Sequence, residues 1–167
     1  ASLAGRVFAD NNNNGRIDAG EGGLSGVALV LTGTDDTGAS VTTTVNTAAD
    51  GSYSFANLRP GTYTVTEPDQ PGGTVNGITS AGTLGGTATA AAVAPSAISG
   101  VVLVAGSASA ANNFGEIGSS PDLRVSKSHA PAVLTANNAA TYTIDVRNAG
   151  DLPTVGSYSV TDRLPAG

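Results

Sequence analysis

Asp50-Gly51-Ser52-Tyr53-Ser54-Phe55 and Pro60-Gly61-Thr62-Tyr63-Thr64-Val65-Thr66 decide the fold. In both, aromatic or branched residues alternate with hydroxyl residues, so one face of each run is apolar and the other polar. A period of two is the signature of a strand with one face in a core and one in water. Asp50-Gly51 and Pro60-Gly61 stand where the chain must turn tightly between strands. Working outward, Gly26-Val27-Ala28-Leu29-Val30-Leu31-Thr32 is apolar enough for a central strand. Val41-Thr42-Thr43-Thr44-Val45 is β-prone through its branched side chains. Such runs, spaced about ten residues apart with turns between them, predict a β-sandwich. No stretch carries a helical period with caps.

Composition narrows the function classes. The chain has 167 residues, of which 23 are glycine and 12% are charged; it has no Cys, Met or Trp. Lacking Cys, it has no disulfide scaffold, thiolate metal site or thiol nucleophile. A formal net charge of −6 argues against a nucleic-acid partner, whose phosphates require a basic face. No run approaches the ~20 apolar residues of a membrane-spanning helix, and no charged-then-apolar segment opens the sequence. With 40% hydrophobic residues in alternating runs, the chain is not of the disordered class either.

Organisation changes along the chain. Residues 69–97 read as a long Gly/Thr/Ala connection with one weak strand near Thr87 to Ala92. Strands return at Ile98 to Val104 and Ala110 to Glu116. Gly118-Ser119-Ser120-Pro121 reads as a linker. Beyond it Leu123 to Lys127, Tyr142 to Asn148 and Ser157 to Thr161 alternate again. The expected division is a domain over 1–118, a linker over 119–121 and a second piece over 122–167. Three strands cannot close a seven-strand Ig-like sandwich. The second piece is therefore expected either to belong to a longer chain or to take strands from a neighbouring subunit.

One loop carries chemistry. Asp10-Asn11-Asn12-Asn13-Asn14-Gly15-Arg16-Ile17-Asp18-Ala19-Gly20-Glu21 fits a twelve-residue calcium loop position by position. Asp10, Asn12, Asn14 and Asp18 supply oxygens at positions 1, 3, 5 and 9. Gly15 makes the sharp turn at position 6, Arg16 offers its backbone carbonyl, and Glu21 closes the loop. Ca²⁺ takes six to eight hard oxygens, and alternate residues of a tightly wound loop direct theirs inward. The competing reading is a polar turn, since Asn and Gly both favour positive φ. The flanks, Gly5 to Phe8 and Gly26 to Leu31, read as strands. The loop therefore fixes a strand-to-strand connection and has no helix pair to open, which points to a structural role rather than a switch.

Other residues weigh less. His129 lies in a loop-like Ser128-His129-Ala130-Pro131 with no nucleophile nearby. Asp35-Asp36 and Asp50 could bind further calcium but fit turn-initiating acids better. The four tyrosines occupy alternating strand positions that suit a core more than a sugar-stacking platform.

Taken together, Gly5 to Glu21, Gly23 to Val27, Asp50 to Leu58, Pro60 to Val65 and Asn113-Phe114-Gly115-Glu116 resemble the SdrD B-like domain of bacterial surface proteins. From Asp122 on, Lys127, Tyr142-Thr143-Ile144, Asn148-Ala149-Gly150 and Thr161 to Gly167 resemble part of the Ig-like conserved-repeat domain found in tandem in such proteins. The resemblance implies an all-β chain: an Ig-like β-sandwich with an EF-hand-like calcium loop, plus a second, incomplete Ig-like β-sandwich. It carries calcium ligation onto Asp10, Asn12, Asn14, Arg16, Asp18 and Glu21, and implies no enzyme activity. It also raises an isopeptide link from Lys127, the single lysine, to Asn148 with Asp145 or Asp162 as the acid; a solvated strand lysine is the alternative. The expected function is a calcium-rigidified structural module of a bacterial cell-surface stalk or extracellular fibre. Its partners would be neighbouring domains or identical subunits, with strand exchange as one route to polymerisation. The alternative is an adhesin module that binds a host or neighbouring-cell ligand. The expected localisation is extracellular.

Overall fold

The alternating runs become strands in the structure, a computed structural model that describes residues 1–119, 122–130, 138–149 and 157–162. Among these residues there is no helix. The chain divides into two compact units, Ala1–Gly118 and Ser119–Gly167. Ser120 and Pro121 of the expected linker, Gly150, and Arg163 to Gly167 of the repeat-like motif lie outside the described residues.

The first unit contains β1 (Ser2–Ala9), β2 (Ala28–Asp35), β3 (Ser40–Asn46), β4 (Ser52–Phe55), β5 (Gly61–Glu67), β6 (Thr74–Ser80), β7 (Thr87–Ala88), β8 (Ser96–Leu103), β9 (Ala108–Ser109) and β10 (Asn113–Gly118). They form two five-stranded sheets. One runs β4-β1-β10-β6 with β9 also on β1, and the other runs β3-β2-β5-β8-β7. The apolar faces pack together in a sandwich-like core. Leu29, Leu31, Tyr63, Val65, Ile98, Val101 and Leu103 of one sheet meet Leu3, Val7, Tyr53, Phe55 and Phe114 of the other. Tyr53 stacks edge-on against Phe55 with ring centroids 5.8 Å apart, and its hydroxyl donates to the Asn112 carbonyl at 2.7 Å.

Three expectations are corrected. Residues 69–97 are not merely a connection, because β6 lies in their middle and pairs antiparallel with β10. Asn76 and Gly77 break its hydrophobic pattern, yet both are buried. A Cβ on Gly77 would lie 2.8 Å from the Gly115 carbonyl oxygen, so the close approach of these strands requires glycine. In the second unit, β11 (Leu123–Ala130) and β12 (Thr141–Asn148) form an antiparallel pair in unbroken register. Ser157 to Thr161 takes no strand conformation there. Alternation marks which face a residue would occupy, but a strand exists only where a neighbour bonds its backbone. Finally, Tyr53 and Tyr63 are core residues, whereas Tyr142 and Tyr158 are exposed.

Two acids lie inside the first unit. Glu67 at the end of β5 and Glu116 in β10 belong to opposite sheets and are almost fully buried. Ser96 Oγ donates to Glu67 Oε2 at 2.9 Å, while Gln70 Nε2 and Thr74 Oγ1 donate to Glu116 Oε2. The other oxygen of each, Glu67 Oε1 and Glu116 Oε1, is buried with no hydrogen-bond partner. Burial raises Glu67 above the ordinary carboxylate range. Burial, then the charge of Glu67, pushes Glu116 up to about 9. Two adjacent buried carboxylates repel, so Glu116 keeps its proton.

That proton makes folding pH-dependent. The folded state holds it after the unfolded chain has released its own, so the stabilisation is complete below the ordinary carboxylate range and is lost as pH rises to about 9. The slope is at most ~1.4 kcal/mol per pH unit. Urea midpoints of the chain are expected to fall from pH 5 to pH 9. Glu116→Gln, which keeps the side chain's shape but cannot titrate, should flatten that fall; parallel profiles would show that no proton is held there.

Candidate metal centre

The Asp10–Glu21 loop starts where β1 ends. Its base is closed by main-chain bonds from Ala9 N to Gly22 O at 2.9 Å and from Leu24 N to Val7 O at 2.9 Å. The returning chain bridges Gly23 to Phe8 and leads on to β2. Strands thus stand on both sides of the loop.

Asp10 is fully buried. Its N–H donates to the Glu116 carbonyl at 2.8 Å. Its carboxylate accepts from Asn14 N at 3.0 Å and Gly15 N at 2.7 Å. Gly15 has φ +71° and packs against Ile78, where a Cβ would lie 2.7 Å from Cγ2, so this turn demands glycine. Asn12 Oδ1 accepts from Asn14 N at 3.1 Å, and Asn14 Oδ1 accepts from Arg16 N at 2.8 Å. Each asparagine therefore bonds the backbone two residues on, which winds the loop tightly.

Two of the side chains meet at a third. Asn12 Nδ2 and Asn14 Nδ2 donate to the same oxygen, Asp18 Oδ2, at 3.0 and 2.7 Å. These bonds, Asn12's first and then Asn14's, hold the Asp18 carboxyl below the usual carboxylate range, and the Arg16 charge adds to them. Glu21 straddles the loop: Oε1 accepts from Asn11 N and Oε2 from Asp18 N, both at 3.0 Å. Among the described residues, no three His, Cys, Asp or Glu side chains group closely enough to hold a metal by themselves. Any cation here would thus draw on the asparagine amides as well as the carboxylates.

Sequence reasoning missed the buttress. Asn13 has φ 51°, and its Oδ1 accepts from Ile78 N of β6 at 3.1 Å. Ser80 Oγ donates to Gly15 O at 3.4 Å. A run of four asparagines gives no hint of which one reaches across 65 residues.

The weaker candidates have other employment. Asp35 Oδ1 accepts from Thr37 N and Ala39 N at 2.9 and 3.0 Å within its turn. Asp36 pairs with Arg59 at 2.7 Å. Asp50 accepts from Ser52 and pairs with Arg6 at 3.1 Å. In the second unit, Lys127 Nζ lies 2.7 Å from Asp162 and 4.6 Å from the centroid of the Tyr142 ring. Asn148 Oδ1 accepts from Asp122 N at 3.0 Å. His129 lies in β11, not in a loop, with its ring 5.8 Å from that of Tyr142.

Residues 1–115 match the family model of the SdrD B-like domain. Serine-aspartate repeat-containing protein D from Staphylococcus aureus strains Newman and MW2 is 39% identical to the chain over 79 residues. That stretch is 47% of this chain and 6% of each relative.

Replacing Asp10 removes the acceptor of two inward N–H groups. Asp10→Ala is expected to cost ~2–3 kcal/mol in thermal or urea unfolding with chelator present. A change below ~0.5 kcal/mol, the range of an ordinary surface substitution, would mean that the loop is not integral to the fold.

Proposed function

The chain belongs to the SdrD B-like domain family, and from that membership we propose that it is a calcium-stiffened structural module of a bacterial cell-surface stalk or extracellular fibre. The observation that carries this reading is the loop itself. Five oxygen-bearing side chains at the calcium-loop positions are already wound together by hydrogen bonds between β1 and β2. The donor set suits Ca²⁺: Asp10, Asp18 and Glu21 supply carboxylates, Asn12 and Asn14 amide oxygens, and Arg16 a main-chain carbonyl, all hard oxygens. Asn12 Oδ1 and Asn14 Oδ1 now accept from Asn14 N and Arg16 N; each amide oxygen keeps a second lone pair that a cation could use. A bound Ca²⁺ would offset two of the three negative charges of Asp10, Asp18 and Glu21 and tie the two ends of the loop together.

The outer face of the second sheet supports a stalk. Register sets Thr32 beside Thr42 and Thr64, and Thr34 beside Thr62. Exposed Val102 lies opposite Thr62 on the same face; this mostly threonine surface, which has no aromatic side chain at these positions, suits a spacer better than a ligand site. We read the first unit as an Ig-like sandwich and the second as an incomplete Ig-like one that gains strands from a neighbouring domain or an identical subunit. An extracellular setting accords with both. A second reading, an adhesin module for a host or neighbouring-cell ligand, draws on the exposed Val125, Ile144 and Val146 of the β11–β12 pair.

Calcium at about 100 times its Kd should add ~2.7 kcal/mol to the first unit's stability. Thermal melts in calcium and in EGTA are expected to differ by roughly 10 °C for a unit of this size. Glu21→Gln should shrink that difference; it also lowers the EGTA melt somewhat, because its NH₂ cannot accept from both Asn11 N and Asp18 N, so the difference between the two melts is the readout. Coincident wild-type melts in calcium and EGTA would remove calcium from the proposal.

A further inference from the structure

Four strands end the two sheets of the first unit: β4 and β6 in one, β3 and β7 in the other. An edge strand exposes a row of unpaired backbone groups, which proteins blunt by shortness, charge, proline, bulges or cover. Three of these edges are protected. The strand β4 has four residues and β7 two. The edge of β6 is occupied, with Asn76 O accepting from Ala92 N at 2.9 Å and Ile78 N bonded to Asn13.

The fourth edge, β3, has none of these defences. It pairs seven consecutive residues with β2 without a register shift, and Ser40, Thr42, Thr43, Thr44 and Asn46 are exposed. Ser40-Val41-Thr42-Thr43-Thr44-Val45-Asn46 contains no charge, proline or glycine. The bonds that continue the β2–β3 ladder, Asp35 N to Ala39 O and Thr47 N to Val27 O, both 3.0 Å, show that odd-numbered β3 residues turn their backbone toward β2. Antiparallel alternation then turns the N–H and C=O groups of Ser40, Thr42, Thr44 and Asn46 outward.

We propose that β3 is a self-pairing edge: two copies of the chain join antiparallel along Ser40–Asn46 about a two-fold axis at Thr43, making one continuous ten-stranded sheet. The occupant is a second copy because the strand is its own complement. Val41-Thr42-Thr43-Thr44-Val45 reads the same in both directions, so a two-fold axis at Thr43 sets Val41 against Val45 and Thr42 against Thr44 of the other copy. That register places the outward groups of Thr42 and Thr44 opposite each other as a hydrogen-bonded pair, and Thr43 opposite Thr43 as the closer, non-hydrogen-bonded pair. With no ionisable group on the strip, no like charges meet. A closed isologous contact also leaves no further β3 edge to propagate. One strand pair is a small interface, at the weak end of specific association. It becomes effective where chains are crowded side by side and tethering raises their local concentration to the millimolar range. The pairing does not depend on calcium or on the stalk reading.

Sedimentation equilibrium of the full chain between about 10 µM and 1 mM, the range of weak small interfaces, should show a monomer–dimer equilibrium. Thr42→Pro removes an outward N–H that β2 does not use, and Thr43→Lys sets two ammonium groups face to face. Each should raise the dissociation constant at least tenfold, by roughly the cost of lost edge bonds or opposed charge, with the monomer's melt nearly unchanged. The described residues contain no cysteine, so Thr43→Cys gives a clean register probe. It should form an intermolecular disulfide much faster than Thr42→Cys, whose partner is Thr44. A monomeric wild type throughout, a dimer indifferent to both edge variants, or equal crosslinking of the two cysteine variants would each overturn the proposal.

Discussion

The parallel pairing of β1 with β10 is the constraint on which the first unit depends. It sets Val7, Phe8 and Ala9 beside Phe114, Gly115 and Glu116, and so joins the start of the unit to its end. Closing so long a loop costs conformational entropy, although the cost grows only slowly with length. It is offset by burial on both strands: Leu3, Val7 and Phe114 are completely removed from water. The same pairing continues one residue further, from Asp10 N to Glu116 O. One pairing therefore places both the first residue of the loop and the buried acid that faces the opposite sheet.

Asp10 and Asp18 show how one loop uses carboxylates in two ways. Asp10 is buried, and its partners are main-chain N–H groups, so it organises the turn as a covalent crosslink might. Asp18 stands in solvent with amide NH₂ groups around it, where a cation of high charge density can compete for its oxygens. The loop is thus wound by its own hydrogen bonds. It is anchored on β1, β10 and β6 through Gly22 O, Glu116 O and Ile78 N.

The outer surfaces divide the labour differently. Threonines predominate on the second sheet's solvent face, where Thr32, Thr34, Thr62 and Thr64 lie side by side, and most edges are short or covered. Ion pairs tie turns to neighbouring strands: Arg59 meets Asp35 and Asp36, and Arg6 of β1 meets Asp50. The Arg6–Asp50 and Arg59–Asp36 pairs are exposed and add little to stability. The uncharged β3 departs from this pattern.

Much of the fold was legible in the sequence because its causes are local. Alternation at Ser52 to Phe55 and Thr62 to Thr66 names strand and core face together, since side chains of a strand must point to opposite sides. The order of Asp10, Asn12, Asn14, Gly15, Asp18 and Glu21 names the loop, since each side chain bonds backbone or side chains within a few residues of itself. What only the tertiary structure decided depends on distant partners. Thr74 to Ser80 is a strand because β10 lies beside it, and its Asn76 and Gly77 look like loop residues until Gly115 and Glu116 are set opposite. Ser157 to Thr161 alternates equally well and forms no strand. Glu67 and Glu116 look like ordinary surface acids 49 residues apart. Only the packing of two sheets buries both, and burial together with the charge of Glu67 raises Glu116 above the ordinary carboxylate range.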